Sequence, residues 1–279
     1  MSCMESTTLR RKGTDNFLLN ALPEEVRERL APHLACVALP VGRVLNEAGT
    51  SPRDAYFPID CIVSQLYVME DGSSAEVALI GREGMVGVSL LLGSEMSACQ
   101  SSVQSAGQAF RLPAQCLRSE FIRGGAQMQV LLRYIQFFMA QMTQSAACNR
   151  HGTLEERLCR LLLLSLDRQP GSELLLTHEL IANALGVGRA GVTEAAGRLQ
   201  HEGAIRYRRG HISVLHRPVL ERRACECYEA DRRQAERLLR SVYAVRADEI
   251  AAPVSPSRPL MHRFPPAGRS LPAAVHFTG

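Results

Sequence analysis

The chain has 279 residues, of which 46% are hydrophobic and 22% charged, with a formal net charge of +4. Such a make-up suits a globular protein of about two domains. It excludes a membrane-spanning class, because the longest uncharged run, Tyr134 to Asn149, is broken by Gln, Thr, Ser and Asn. The charge is uneven: residues 1–148 hold 12 Lys+Arg against 14 Asp+Glu, whereas 149–279 hold 20 against 14. A basic C-terminal half points to an anionic partner there.

The nine cysteines are odd in number and scattered, and no secretory apolar segment opens the chain, so reduced thiols in a cytoplasm are expected. Cys225 and Cys227 form a C-x-C on an expected helix. Helical positions two apart face different ways and could not hold one metal without unwinding, so free thiols are the expectation.

In chain order, residues 1–15 are polar and read as a loose N-terminus. A helix is expected from Leu18, with Pro23-Glu24-Glu25 as a second start. From Cys36 to Leu112, short apolar runs are separated by Gly, Pro and Asp. CVALP, RVLNE, AYFPI, CIVSQLYVM, SAEVALI, MVGVSLLL and SSVQSAGQAFRL read as strands. Together they predict an antiparallel roll or sandwich filling a first domain over 16–124. Pro113 to Arg123 reads as a short helix.

A long helix is expected over 125–150. Met128, Leu132, Ile135, Met139, Met142 and Ala146 follow a 4-3-4-3-4 spacing, which draws one apolar seam along its whole length. The seam either packs on its own roll or pairs with a second copy. Met128, Leu132, Ile135, Met139 and Met142 are the expected dimer contacts.

A second domain is expected over 151–247. Thr153 to Arg168 is an amphipathic helix with Leu154, Leu158, Leu161, Leu162 and Leu166 on its stripe. Thr177 is a good N-cap for a helix burying Leu180, Ile181, Ala184 and Leu185. Gly186 permits a sharp turn, and a second helix from Arg189 buries Val192, Ala195, Ala196 and Leu199. That is a helix-turn-helix pattern. The outward face of the second helix carries Arg189, Thr193 and Glu194 as candidates for reading base edges. Residues 205–214 alternate around a glycine and predict a hairpin, a wing. Thr177, Arg198, Arg208, Arg209 and His211 are the candidates for phosphate contact. Pro218 to about Arg246 reads as one charged helix, and the proline-rich stretch 248–279 as a disordered tail.

This order of roll, long helix, linker helix, helix-turn-helix and wing resembles the Crp/Fnr family of bacterial transcription regulators over roughly residues 18–230. The most specific stretches are CNRHGTLEERLCRLLLLSLDR at 148–168, the helix-turn-helix at 176–205 and RYRRGHISVLHRPVLE at 206–221. The resemblance implies an α+β protein with an N-terminal antiparallel, jelly-roll-like β-roll of the cyclic-nucleotide-binding type, a dimerisation helix and a C-terminal winged helix-turn-helix. It also implies double-stranded DNA, a second copy of the chain and RNA polymerase as partners.

Departures from the family pattern are specific. Arg189 matches the first recognition arginine, but Ala190 stands in place of the usual Glu and Glu194 in place of the second Arg. Gly188 replaces the usual Ser cap, and Gly191 and Gly197 weaken the helix by about 1 kcal/mol each. In the roll, the segment matching the nucleotide-binding loop runs from Gly87-Val88-Ser89 to Ser97-Ala98-Cys99-Gln100, without the Glu that would hold a ribose or the Arg that would hold a cyclic phosphate. Gly87, Val88, Ala98 and Cys99 thus mark a degenerate ligand loop, expected not to bind cyclic AMP in the usual manner. No cofactor is expected, and no N-terminal cysteine cluster for iron–sulfur is present. The competing class is a cytosolic ligand- or redox-sensing module, with Cys99 in its loop, whose winged domain contacts protein. No paired-carboxylate cleft, phosphate loop, HExxH or nucleophile elbow speaks for an enzyme.

Overall fold

The computed structural model describes residues 15–93, 96–169 and 171–251. The polar stretch 1–14 and the proline-rich stretch from 252 lie outside the described residues.

Two short helices, α1 (Phe17–Ala21) and α2 (Glu24–Leu30), open the chain. Asn16 explains the first start. Its side-chain oxygen accepts from the Leu19 N–H at 3.0 Å, and its amide donates to the carbonyls of Pro58 and Gly84 at 2.9 Å each, so the cap is also a rivet to the roll.

Seven strands form the roll: β1 (Ala35–Leu39), β2 (Val44–Asn46), β3 (Asp54–Pro58), β4 (Ile62–Val68), β5 (Ser74–Ile80), β6 (Gln100–Ser105) and β7 (Gly107–Pro113). They make two antiparallel sheets, ordered β1-β7-β3 and β2-β6-β4-β5. Two expected strands turn out otherwise. MVGVSLLL holds a 3-10 turn at Val88–Leu90, entered through Gly87 at φ 107°, a backbone region that favours glycine. SSVQSAGQAFRL is two strands, because the chain changes sheets at Ala106. The following Gly107 lies so close to Asp60 and the Cys61 N–H that a Cβ would stand 2.7 Å from that nitrogen.

After α3 (Ala114–Ile122), the 26-residue α4 (Ala126–His151) lies across the roll. Tyr134 anchors it: the ring is fully buried against Gly84, and its hydroxyl donates to the Met85 carbonyl at 2.7 Å. Further along, Gln141 accepts from the Leu79 N–H at 3.0 Å. Val130, Leu131, Tyr134 and Phe137 therefore face inward. Of the expected seam, Ile135 also goes into this chain's own core at 6% exposure, whereas Leu132 (42%) and Met139 (61%) stay in solvent and Met128 and Met142 are half-buried.

Gly152 breaks α4 from α5 (Leu154–Arg168), which starts on a capping box in which Thr153 and Glu156 satisfy each other's backbone N–H groups. Leu158, Leu161, Leu162, Leu163, Leu164 and Leu166 are all buried, so this helix is apolar almost all round and forms the centre of the second domain. Around it lie β8 (Glu173–Leu175), α6 (His178–Leu185), α7 (Arg189–His201), β9 (Ile205–Arg208), β10 (His211–Val214) and α8 (Arg217–Arg223). The wing sheet is ordered β8-β10-β9.

The expected single helix from Pro218 is divided. Ala224 is extended at ψ 150°, and a new helix, α9 (Glu226–Ala251), turns away from the winged domain to lie along α4, antiparallel to it, reaching α1 and the roll core through Leu238. Nothing in the local residues demands this break. It follows from Arg223, whose guanidinium is held by Glu155 and Glu202, and from Asp231, which is drawn inward. Asp231 pairs with Arg160 at 2.6 and 2.9 Å, both buried, and Arg160 also donates to Ser145 of α4 at 3.1 Å. A second cross-link, Arg168 to Glu83 at 2.8 Å, joins the end of α5 to the roll.

Removing one partner of a buried ion pair leaves the other charged and unpaired, which costs about 3–5 kcal/mol. Asp231→Ala is therefore expected to lower unfolding stability by that order in denaturant titration, whereas Arg232→Ala, which breaks an exposed i, i+3 pair on the same helix, should leave the midpoint nearly unchanged.

Candidate nucleic-acid interface

The helix-turn-helix forms as the spacing predicts. Thr177 caps α6, its hydroxyl oxygen accepting from the Leu180 N–H at 3.2 Å. Gly186 adopts the left-handed conformation at φ 61° and its N–H returns to the carbonyls of Ala182 and Asn183, which ends α6 and aims the chain into α7. Val192, Ala195, Ala196 and Leu199 are buried against α5 and α6, so the opposite face of α7 is fixed in solvent with Arg189, Ala190, Thr193 and Glu194 on it. Gly191 has a packing reason: a Cβ there would stand 3.0 Å from Leu154 of α5.

The sequence does not foretell how the start of α6, the recognition helix and the wing are joined. His178 is buried and its ring stacks on Tyr207 of β9, centroids 4.0 Å apart and planes 20° from parallel. Its Nδ1 lies 2.9 Å from the Thr193 hydroxyl, and that hydroxyl donates to the Arg189 carbonyl at 3.0 Å. With the hydroxyl proton on the carbonyl, the tautomer that completes the chain carries Nδ1–H and donates it to Thr193. Burial, with the nearby Arg189 charge, holds the His178 imidazole below its ordinary pKa. Thr193 is therefore exposed yet tied from behind. A histidine just after an N-cap, fifteen residues before a threonine in the next helix, is too sparse a signal to find from sequence.

Arg198, expected at a phosphate, pairs through its guanidinium with Glu155 at 2.9 Å and with Glu194 at 2.7 Å, which braces α7 on α5 while the side chain stays half exposed. Glu155 collects Arg223 as well, and these two guanidinium groups hold its carboxyl below the usual carboxylate range. Arg208, Arg209 and His211 are exposed on the wing as expected. Arg209 and Gly210 have φ of 49° and 83°, the pair of left-handed residues of a type I′ turn. An arginine there carries strain of about 1–2 kcal/mol, and the turn projects its side chain at the tip. Arg206 belongs with them: it lies two residues from Arg208 on the same strand face, and Arg206, Arg208, Arg209, His211 and Ser213 line a shallow cleft of about 330 Å3. The period-2 spacing of Arg206 and Arg208 was the signal that could have found it.

In the roll, Gly87, Val88, Ala98 and Cys99 do come together. They line a cavity of about 160 Å3 that is closed by Phe138 and Met142 of α4 and also bounded by Asp54, Tyr56 and Gln65. Among the described residues the lining has no Arg, Lys or His. Burial pushes the Cys99 thiol up from its ordinary pKa, which makes it a poor nucleophile.

Residues 156–223 match the family model of the Crp-like helix-turn-helix domain. No curated protein matches the sequence. Solved structures resemble the fold across both domains. FixK2 from Bradyrhizobium japonicum is 14% identical, covers 69% of this chain and 98% of its own, and superposes with a TM-score of 0.59. A putative transcriptional regulator of the Crp/Fnr family from Eubacterium rectale is 19% identical, with 74% and 96% covered and a TM-score of 0.56. The c-di-GMP-responsive global regulator CLP of Xanthomonas campestris is 16% identical, with 69% and 99% covered and a TM-score of 0.56. No helix among the described residues is long and apolar enough to cross a membrane.

His178→Ala is expected to cost about 2 kcal/mol of stability, from the lost ring stacking and hydrogen bond. The ring is held neutral in the fold, and the unfolded ring titrates near 6.5. With the folded pKa below the unfolded one, its contribution is largest above about pH 6.5 and shrinks as pH falls through the depressed folded pKa. Denaturant midpoints of the two proteins should therefore differ more at pH 8 than at acidic pH.

Proposed function

We propose that this chain, which carries a Crp-like helix-turn-helix domain on the fold of Crp/Fnr regulators, is a sequence-specific DNA-binding transcription regulator that acts as a dimer on an inverted repeat. The observation that carries the reading is the outward face of α7, with Arg189 at its start, standing beside the cationic wing of Arg206, Arg208, Arg209 and His211. Arg189 forks onto a guanine O6 and N7 in the major groove, and Thr193, steadied by His178, sits one turn on. Glu194 accepts from a cytosine amine or stays with Arg198. The wing arginines neutralise flanking phosphates and the Thr177 hydroxyl donates to one, fixing register without reading sequence.

The dimer forms along α4. With Ile135 turned inward and Met142 on the roll cavity, the pairing stripe is Leu132, Met139 and Ala146 at heptad spacing, flanked by Met128. Two such copies set recognition helices about 34 Å apart, one turn of duplex. RNA polymerase is the partner such a regulator engages at a promoter.

The roll does not take cyclic AMP in the usual manner. A cyclic phosphate needs a cation or a nest of N–H groups, whereas the described lining of the cavity offers apolar side chains, hydroxyls, the Asn46 and Gln65 amides, the Cys99 thiol and the Asp54 carboxyl, and no cation.

Selection from a randomised duplex pool at two salt concentrations tests the whole reading. Enrichment of an inverted repeat is expected, with Arg189→Ala costing about 1–3 kcal/mol and relaxing one base pair in each half-site. Arg208→Ala and Arg209→Ala should each weaken binding to all sequences and reduce the salt slope by about one. Affinity that ignores both salt and sequence would remove the DNA reading and leave the winged domain as a protein-binding surface.

A further inference from the structure

Three thiols that the DNA reading does not use meet where α4 hands the chain to the winged domain. Cys148 lies buried in the last turn of α4, Cys225 sits between α8 and α9, and Cys227 is the second residue of α9. Their sulfurs all lie within 4.8 Å of one another. The objection that a helical C-x-C cannot converge does not apply, because α9 begins at Glu226 and Cys225 precedes it in non-helical backbone. Seventy-seven residues separate Cys148 from Cys225, so this is an assembly made by the fold.

We propose that Cys148, Cys225 and Cys227 form a three-thiolate binding site for a thiophilic d10 metal ion, Zn(II) or Cu(I). Thiolates bound to one ion at about 2.3 Å stand about 3.8 Å apart. The Cys148 and Cys225 sulfurs, 3.0 Å apart as free thiols, need only open by a small side-chain rotation, and the Cys227 sulfur already lies within 4.8 Å of both. The donor set is sulfur alone, which selects soft ions over oxygen-seeking ones. On binding, each thiol gives its proton to solvent. Three thiolates around Zn(II) leave a net negative charge, and the Arg160 guanidinium beside them, though paired with Asp231, supplies the positive end of that pair near Cys148 and Cys225. Cu(I) is satisfied by three thiolates, while Zn(II) completes a tetrahedron with water.

The position gives the ion a mechanical role. Gly152, the break between α4 and α5, donates its N–H to the Cys148 carbonyl at 2.8 Å, and a Cβ there would stand 3.3 Å from the Cys148 sulfur. Cys148 therefore marks the entry to the winged domain, and Cys225 and Cys227 its exit. One ion clasps entry to exit and holds the winged domain at one angle to the dimer helix, so occupancy is read as DNA affinity. That last step rests on the function proposed above; the metal site does not.

The test uses the full chain, reduced and metal-free, without oxygen. Titration with Co(II), the spectroscopic stand-in for Zn(II), should give one ion per chain, thiolate-to-cobalt charge-transfer absorption in the near ultraviolet and displacement by Zn(II). A separate Cu(I) titration against a competing chelator tells which ion is held more tightly. Cys225→Ser and Cys227→Ser should each weaken uptake by about tenfold or more, with circular dichroism checking that both still fold, while Cys36→Ser with Cys99→Ser leaves it unchanged. Absence of thiolate charge-transfer together with absence of Cu(I) uptake overturns the site. So does uptake that survives both substitutions, or a Cys148–Cys225 disulfide that persists in reductant and excludes the ion. DNA affinity that differs at least about fivefold between metal-free and loaded protein supports the coupling. Equal affinities overturn the coupling, whereas loss of all DNA binding with uptake intact would sink the function reading instead.

Discussion

The buried pair of Arg160 and Asp231 decides how three helices meet. Arg160 comes from α5, the centre of the winged domain; Asp231 from α9, the last helix; and Ser145, which takes the remaining donor, from α4. A guanidinium placed inside a protein must find its partners in fixed positions or expel itself to water. Here this is met by folding α9 back along α4. Because α9 also reaches the roll through Leu238, the winged domain is tied to the roll at both ends of its chain.

The same accounting of charge sorts the surface of the winged domain. Glu155 and Glu202 take Arg198 and Arg223 into a brace between α5, α7 and α8. What remains outward is Arg189 on the recognition helix and a row of arginines on the wing. A count of basic residues in the C-terminal half could not separate these two groups, since both are arginines at helical or strand positions. Only the carboxylates opposite them do. The His178–Thr193 contact belongs to the same design: a neutral ring, kept so by burial, holds a recognition-helix side chain to the wing through Tyr207.

Among the described residues, the roll encloses its cavity without a cation. That cavity lies between the strands and the long helix, where Phe138 and Met142 reach in from α4, so whatever fills the space touches the helix that leads into the winged domain. Changing that volume would press on α4 directly, without a charged group to recognise a phosphate.

Local pattern in the sequence settled the existence and type of most elements: the 4-3 spacing of α4, the leucine stripe and capping box of α5, Thr177 and Gly186 around α6, and the alternating wing were all legible because their signals lie within a few residues of each other. Even the missing cations of the degenerate loop could be read off Gly87 to Gln100. The tertiary structure decided the rest, each time because the cause lies far along the chain. Ile135 turned inward because the roll sits on that side of α4. Arg198 was paired with Glu155, forty-three residues away, and the helix after Pro218 broke because Arg223 and Asp231 found partners in α5. The convergence of Cys148 with Cys225 and Cys227 needed all of these at once, since a C-x-C read as one helix faces two ways, and only the break before Glu226 lets both sulfurs meet a third.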